Sequence, residues 1–340
     1  MKAVQISKPG EISLAEFEMP TAQGNEAMIK IISAGICGSD IGAFRGANNL
    51  VTYPRIIGHE LVGEVVSLPG DKSNEGNIKV GDKVILEPYL YCGNCYPCSQ
   101  GRTNCCVDLK VLGVHKDGGI AEYIAHPADM LLKLPENMDL SVAPIVEPLS
   151  IALHGLHRLR ITSGEHLAVF GAGAIGLLAA MAAMTYGAIP ILIDIVEERL
   201  KFAREIGIQN TINTGAVNLL EKIYAITAGR YCECVMEASG ANSAVRSTLD
   251  VVSFAGRIAL TGWPKKETQM PTDLITKKEV DIMGARNSAN EFEEAIDLIY
   301  SGKVDAKSIL TKLVRLDEVP AALRDIDRNP GEYLKVNVMI

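Results

Sequence analysis

The sequence predicts a two-domain α/β protein in which a β-rich domain is followed by a doubly wound parallel sheet. Three observations carry this reading. The chain has 340 residues, more than one core comfortably fills, so two domains each burying an apolar layer are expected. Residues 1–150 hold short β-like runs, AMIKIISAG and LVGEVVSL among them, punctuated by Gly, Pro and polar turns. From His166 the apolar strand candidates HLAVF, PILID, CECVME and GRIAL alternate with helix-length segments at the spacing of βαβ units.

These elements set the boundaries at 1–150, 151–286 and 287–340. The last segment, with the helix-like NEFEEAIDLIYSG and the strand-like LKVNVMI, is expected to return to the first domain. The apolar run from about Ile175 to Met184 is too short to span a bilayer and reads as a buried helix. SLPGDKSNEGNIKVGD reads as an exposed polar loop.

Apolar residues make up 48% of the chain, charged residues 22% and aromatics 5%, the balance of a soluble globular protein rather than a disordered one. A net charge of −8 without a basic cluster argues against nucleic-acid binding. The opening MKAVQISKPGEI lacks the pattern of an export leader, so a cytoplasmic protein with no membrane partner is expected. In that reducing setting, tightly spaced cysteines point to metal rather than disulfides.

Gly171, Gly173 and Gly176 in HLAVFGAGAIGLLAA follow an apolar strand and open a small-residue helix that contains Ile175. In such a motif the first glycine allows the turn, the second lets backbone approach a pyrophosphate, and the third lets helix and strand pack closely. The helix N-terminus adds free amides for phosphate. The next apolar strand ends at Asp194, where a carboxylate binds ribose hydroxyls and repels a 2′-phosphate. NAD is therefore expected over NADP. Asp194 reads alternatively as a cap for the VEERL helix. Arg199 is a candidate adenine neighbour or a solvated helix charge.

Cys92, Cys95 and Cys98 stand at C-x2-C-x2-C, and Cys106 completes a set of four after seven intervening residues. Four thiolates fit a closed tetrahedral zinc site, in a lobe spanning about 88–110. Iron–sulfur ligation is a second reading, although the spacing differs from ferredoxin runs. Cys105 adjoins Cys106, and spacing does not choose between them. A second set is scattered: Cys37 in AGICGSD, His59 and Glu60 in IIGHELVGEV, and Glu147 in VEPLS. A thiolate, an imidazole and a carboxylate leave zinc a fourth position for substrate. Taken singly, each of these residues reads as an ordinary core residue.

GICGSD, GHE, the C-x2-C-x2-C-x7-C lobe, EPL and GAGAIG, in this order, resemble the zinc-containing medium-chain dehydrogenases over essentially the whole chain. EPLS looks like the sorbitol and threonine dehydrogenase branch. GRTNCC and LGVHKDGG look closest to bacterial L-galactonate and L-gulonate 5-dehydrogenases. The resemblance implies a GroES-like catalytic domain built from both chain ends and a Rossmann domain between them. It also implies one catalytic and one structural zinc ion, NAD, a small-molecule substrate, and a homodimer or homotetramer. It assigns Cys37 and His59 to the catalytic zinc, with Glu60 and Glu147 ligating directly or through water, and it selects Cys106 over Cys105.

By the same resemblance Ser39 carries away the substrate hydroxyl proton, zinc having lowered that hydroxyl's pKa from about 16 towards about 7. Many members carry an outer relay histidine three residues after that serine; here the position is Gly42, which leaves water or a coenzyme or substrate hydroxyl to complete the route. His154 and His157 are secondary candidates. His115 and Lys116 in GVHKDGG, and Arg286 and Asn287, are candidate contacts for a sugar acid. Sorbitol, butanediol and threonine are the rival substrates. A zinc-stabilised, nucleotide-binding scaffold is the rival class, and a zinc-free quinone reductase is disfavoured by the four-cysteine lobe.

Overall fold

A computed structural model describes residues 1–70 and 78–340; the central part of the expected polar loop, 71–77, lies outside the described residues. The chain forms two compact units, Met1–Glu147 with Ala306–Ile340, and Pro148–Asp305.

The first unit is β-rich. Its largest sheet runs Leu131–Lys133, Lys83–Leu86, Glu60–Ser67, Glu26–Ile36, Lys335–Met339 and Leu310–Arg315, with Tyr123–Pro127 also pairing to Glu26–Ile36. The long strand Glu26–Ile36 follows a period of two: Ala27, Ile29 and Ile31 are buried while Lys30 is exposed. Its inward residues join Ile57, Leu61 and Leu86 in one core. The C-terminal run LKVNVMI does return here, pairing antiparallel with Glu26–Ile36 through Val336↔Ile36 and Asn337↔Gly35. Because Gly35 also pairs with Glu60, the register brings the end of the chain beside the GHE motif.

The second unit holds a six-stranded sheet, parallel throughout, in the order Asn210–Asn213, Ile189–Asp194, His166–Phe170, Cys232–Glu237, Val252–Leu260, Asp281–Gly284. The order reverses between His166–Phe170 and Cys232–Glu237, the crevice position where such sheets bind ligands. The apolar run expected as a buried helix is Ala174–Thr185, buried from Gly176 to Ala183.

The returning segment begins later than the expected residue 287. Helix Phe292–Tyr300 belongs to the second unit, and side chains explain why. Glu291 meets His154 Nδ1 at 2.8 Å and His157 Nδ1 at 3.4 Å, and Tyr186 donates to Glu294. His154 and His157 thus serve as anchors on helix Val146–Leu159. The two imidazoles hold Glu291 down to about 2, even though burial works to raise it.

Candidate active site and metal centres

Cys37 is the N-cap of the short helix Gly38–Phe44, and the Asp40 carboxylate accepts the Cys37 backbone N–H at 2.9 Å. This reciprocal cap, which the sequence reading did not anticipate, fixes the thiol at the strand-to-helix turn. His59 and Glu60 come from the start of the neighbouring strand and are buried. One ligand atom from each of Cys37, His59 and Glu60 lies within 4.8 Å of the others. Ser39 Oγ sits 3.4 Å from His59 Nε2. Glu147, buried at the start of helix Val146–Leu159, lies outside that triplet, and its carboxylate accepts the Tyr89 hydroxyl.

Glu60 has a partner that no sequence pattern announced. Lys335, on the C-terminal strand, pairs with its carboxylate and also donates to the Ile36 carbonyl at 3.2 Å; both side chains are almost wholly buried. Gly35 makes room for this, since a Cβ there would lie 1.7 Å from Glu60 Oε2.

The site carries more negative than positive groups. Burial pulls His59 down, but Cys37, Asp40 and Glu147 together raise it well above the ordinary value. Burial pushes Glu147 up to about 7, with the charge of Glu60 adding to it against the opposing pull of His59. His59 Nδ1 is buried with no hydrogen-bond partner among the described residues. A thiol, an orphaned imidazole nitrogen and crowded carboxylates are donors suited to a divalent cation such as zinc.

In the lobe, Cys92, Cys95, Cys98 and Cys106 bring their sulfurs within 4.8 Å of one another. Cys95 Sγ is 3.4 Å from Cys98 Sγ and 3.9 Å from Cys106 Sγ. Cys106, not Cys105, completes the set, its sulfur accepting the backbone N–H groups of Cys92 and Asp108 at 3.3 and 3.4 Å. The N–H groups of Val107 and Cys98 hold the Cys95 thiol down to about 6, whereas desolvation and the neighbouring Cys95 push Cys98 up to about 12. A metal ion would hold both as thiolates.

In the second unit the glycine motif has its expected geometry. A Cβ at Gly176 would lie 1.8 Å from the Gly171 carbonyl oxygen, so the helix must approach the loop this closely without one, whereas at Gly173 a Cβ would meet nothing within 4 Å. Ile175 lies in the first turn of the helix, directly before Gly176. The open cradle at a helix N-terminus fits a pyrophosphate. Asp194 ends its strand, and its carboxylate accepts N–H groups from Ala172 at 2.6 Å, Ile195 at 2.7 Å and Val196 at 2.9 Å. An ionised carboxylate has about four acceptor positions, so capacity remains for a ribose hydroxyl. Arg199 is half-buried on helix Glu197–Glu205. Glu237, fully buried at the crevice, accepts N–H groups of Ser239 and Gly240 at 2.9 and 3.0 Å and so shapes the loop facing the glycine motif.

Of the four candidate substrate residues, two lie in the first unit and two in the second. His115 and Lys116 line a cavity of about 610 Å³ in the first unit, whose lining includes none of Cys37, Ser39, His59, Glu60 or Glu147. His115 Nδ1 accepts the Val111 N–H at 3.1 Å. Arg286 and Asn287 lie in the second unit, between strand Asp281–Gly284 and helix Phe292–Tyr300, Asn287 with a φ of 50°. Among the described residues no helix is long and apolar enough to cross a membrane.

Residues 23–136 match the alcohol dehydrogenase GroES-like domain, and residues 174–301 match the zinc-binding dehydrogenase domain. An uncharacterized zinc-type alcohol dehydrogenase-like protein of Haemophilus influenzae is 52% identical over 100% of this chain and 98% of its own. A sorbitol dehydrogenase of Bacillus subtilis is 33% identical, with 99% and 97% covered. The L-galactonate-5-dehydrogenase of Escherichia coli K12 is 35% identical, with 92% and 91% covered. Among solved structures, a short chain alcohol dehydrogenase (rspB) from E. coli CFT073 complexed with NADH superposes with a TM-score of 0.93, at 33% identity, over 100% of this chain and 99% of that one. Two matched domains, a glycine cradle at the switch point of a parallel sheet and two cysteine-containing donor sets define a zinc-type oxidoreductase. The chain belongs to the zinc-containing medium-chain alcohol and polyol dehydrogenases.

Proposed function

We propose that the protein oxidises a secondary hydroxyl of a hexonate such as L-galactonate or L-gulonate to a ketone, with NAD as hydride acceptor and two zinc ions per chain. The observation that carries the chemistry is the contrast in donor sets: four thiols close one site, whereas the half-buried Cys37 and the buried His59 and Glu60 form a set of three that leaves a position for substrate. Zinc bound there supplies Lewis-acid polarisation of the substrate hydroxyl. Ser39 would take up the hydroxyl proton, and NAD, when bound, would supply the hydride acceptor for the carbinol carbon. Gly42 offers no side chain to pass the proton on, so water or a coenzyme hydroxyl completes the exit.

Asp194 supports NAD: its carboxylate, fastened to three backbone amides at the end of its strand, would repel a 2′-phosphate. The hexonate assignment rests on the likeness to L-galactonate-5-dehydrogenase and on GRTNCC and LGVHKDGG. Sorbitol is the competing substrate, since a relative of that name matches at similar identity. Assembly as a dimer or tetramer follows from the family resemblance and is checked by light scattering. Initial rates of NADH formation over L-galactonate, L-gulonate, sorbitol, 2,3-butanediol and threonine test the assignment. The highest kcat/KM is expected with an aldonate. Preference for sorbitol or threonine over every aldonate overturns the substrate and leaves the zinc–NAD chemistry standing.

A further inference from the structure

We propose that Tyr89 is a positioning residue for Glu147 and that it ties metal loading at the catalytic site to the state of the four-cysteine lobe. The inference rests on the proposed catalytic metal site of Cys37, His59 and Glu60, with Glu147 reaching the metal through water. The lobe hangs from a narrow neck in which Tyr89 pairs with Val111, Leu90 pairs with Lys110, and the Leu112 N–H donates to the Pro88 carbonyl at 3.2 Å. All four cysteines lie between these two strands. On the other side the neck is clamped to the largest sheet of the first unit and its flanking segment, because His126 Nε2 donates to the Glu87 carbonyl at 3.0 Å and the Glu87 N–H donates to the Met130 carbonyl at 2.9 Å.

Tyr89 is 3% exposed. Its hydroxyl donates to the Glu147 carboxylate, itself buried and close enough to act electrostatically on His59. A phenol is a rigid, neutral donor: the position of its oxygen follows the backbone of the neck through only two torsions. Whatever holds the neck in register therefore holds one oxygen of Glu147. Cys92 and Cys106, at the two ends of the lobe, would both hold a metal bound there and so would keep the neck in register. Glu60 is restrained differently, by Lys335 on the central sheet, so the tie to the lobe runs to Glu147 and spares Glu60.

The test reads metal affinity and needs no turnover. Full-length protein loaded with zinc is titrated against a chelator, and the two sites are followed separately by cobalt substitution, which distinguishes a four-thiolate from a one-thiolate environment. Tyr89→Phe is expected to weaken the one-thiolate site about 10–100-fold, the usual effect of losing a partner behind a ligand, while the lobe keeps its metal. Cys95→Ser is expected to weaken the one-thiolate site in the wild-type background and to add nothing in the Tyr89→Phe background. An unchanged affinity in Tyr89→Phe overturns the proposal, and so do effects of the two substitutions that simply multiply. Should Cys95→Ser not fold, the Tyr89→Phe titration decides alone. A Tyr89 effect on metal in a protein that reduces no NAD would sink the proposed function and leave this inference standing.

Discussion

Within the first unit two metal sites are built in different ways. In the lobe all four donors come from the stretch Cys92–Cys106, and the chain between them needs only tight turns to aim its sulfurs inward. At the second site Cys37, His59 and Glu60 come from a strand-to-helix turn and the start of a second strand, and two of the three are held from behind, Cys37 by Asp40 and Glu60 by Lys335, while Tyr89 holds the nearby Glu147. A closed set of thiolates is paid for locally, whereas an open set relies on the sheet and its neighbouring segments to hold charged donors in place without metal. The difference teaches where each site is vulnerable.

The largest effects separate the two roles. Cys37→Ser is expected to remove several kcal/mol of transition-state stabilisation, a loss of turnover on the order of 10³-fold or more, with the melting temperature nearly unchanged. Cys95→Ser at saturating zinc is expected to lower the melting temperature and the zinc content towards one ion per chain. Paired assays of kcat, metal content and thermal unfolding check both, and a reversed pattern would exchange the two assignments.

Lys335→Met leaves the Glu60 charge buried without its ammonium and should destabilise the metal-free protein by about 3–5 kcal/mol. Zinc at the adjacent site should restore part of that loss. Denaturant unfolding with and without zinc measures both, and an equal cost in the two states would show that Glu60 does not feel the metal.

The neck offers a pH readout away from either donor set. Burial lowers His126 to about 4, below its ordinary 6.5, and Lys116 adds to this against the Glu87 carbonyl. The native imidazole stays neutral, so stability is full above pH 6.5 and falls as the unfolded chain takes up a proton that the native state refuses. The loss completes near pH 4 and reaches about 3 kcal/mol. His126→Gln should flatten this part of the stability profile; an unchanged slope between pH 6.5 and 4 would refute it.

Two smaller effects concern ligands. Asp194→Asn is expected to narrow the NAD preference in kcat/KM by about one decade, the scale of one lost charge interaction. Lys116→Ala is expected to change the KM for an aldonate less than about twofold, because its cavity contains no residue of the metal cluster. A rise of a decade or more confined to aldonates would place that loop in the substrate site.

What was legible in the sequence follows the same division. Cys92, Cys95, Cys98 and the glycine triplet encode their geometry in local spacing, because turn, strand and helix fix where neighbouring side chains go. Lys335 could not be found that way: its partner Glu60 is 275 positions away, and the register that joins them exists only after the last strand closes the sheet. Tyr89 and Glu147 are 58 positions apart and equally silent. Helix Phe292–Tyr300 lies in the second unit and not beyond the expected boundary at 287, because its attachment is made by Glu291 and Glu294 to partners more than 100 residues earlier, a contact that helical periodicity does not record.

Stepwise chelation of the zinc-loaded protein, with zinc content, NADH formation and melting temperature followed on the same samples, tests the two-site account most directly. One thiolate holds metal less tightly than four, so the first equivalent withdrawn should abolish turnover at nearly constant melting temperature, and the second should collapse stability. A single zinc per chain at the start, or turnover that survives the first equivalent and disappears only with stability, would contradict it.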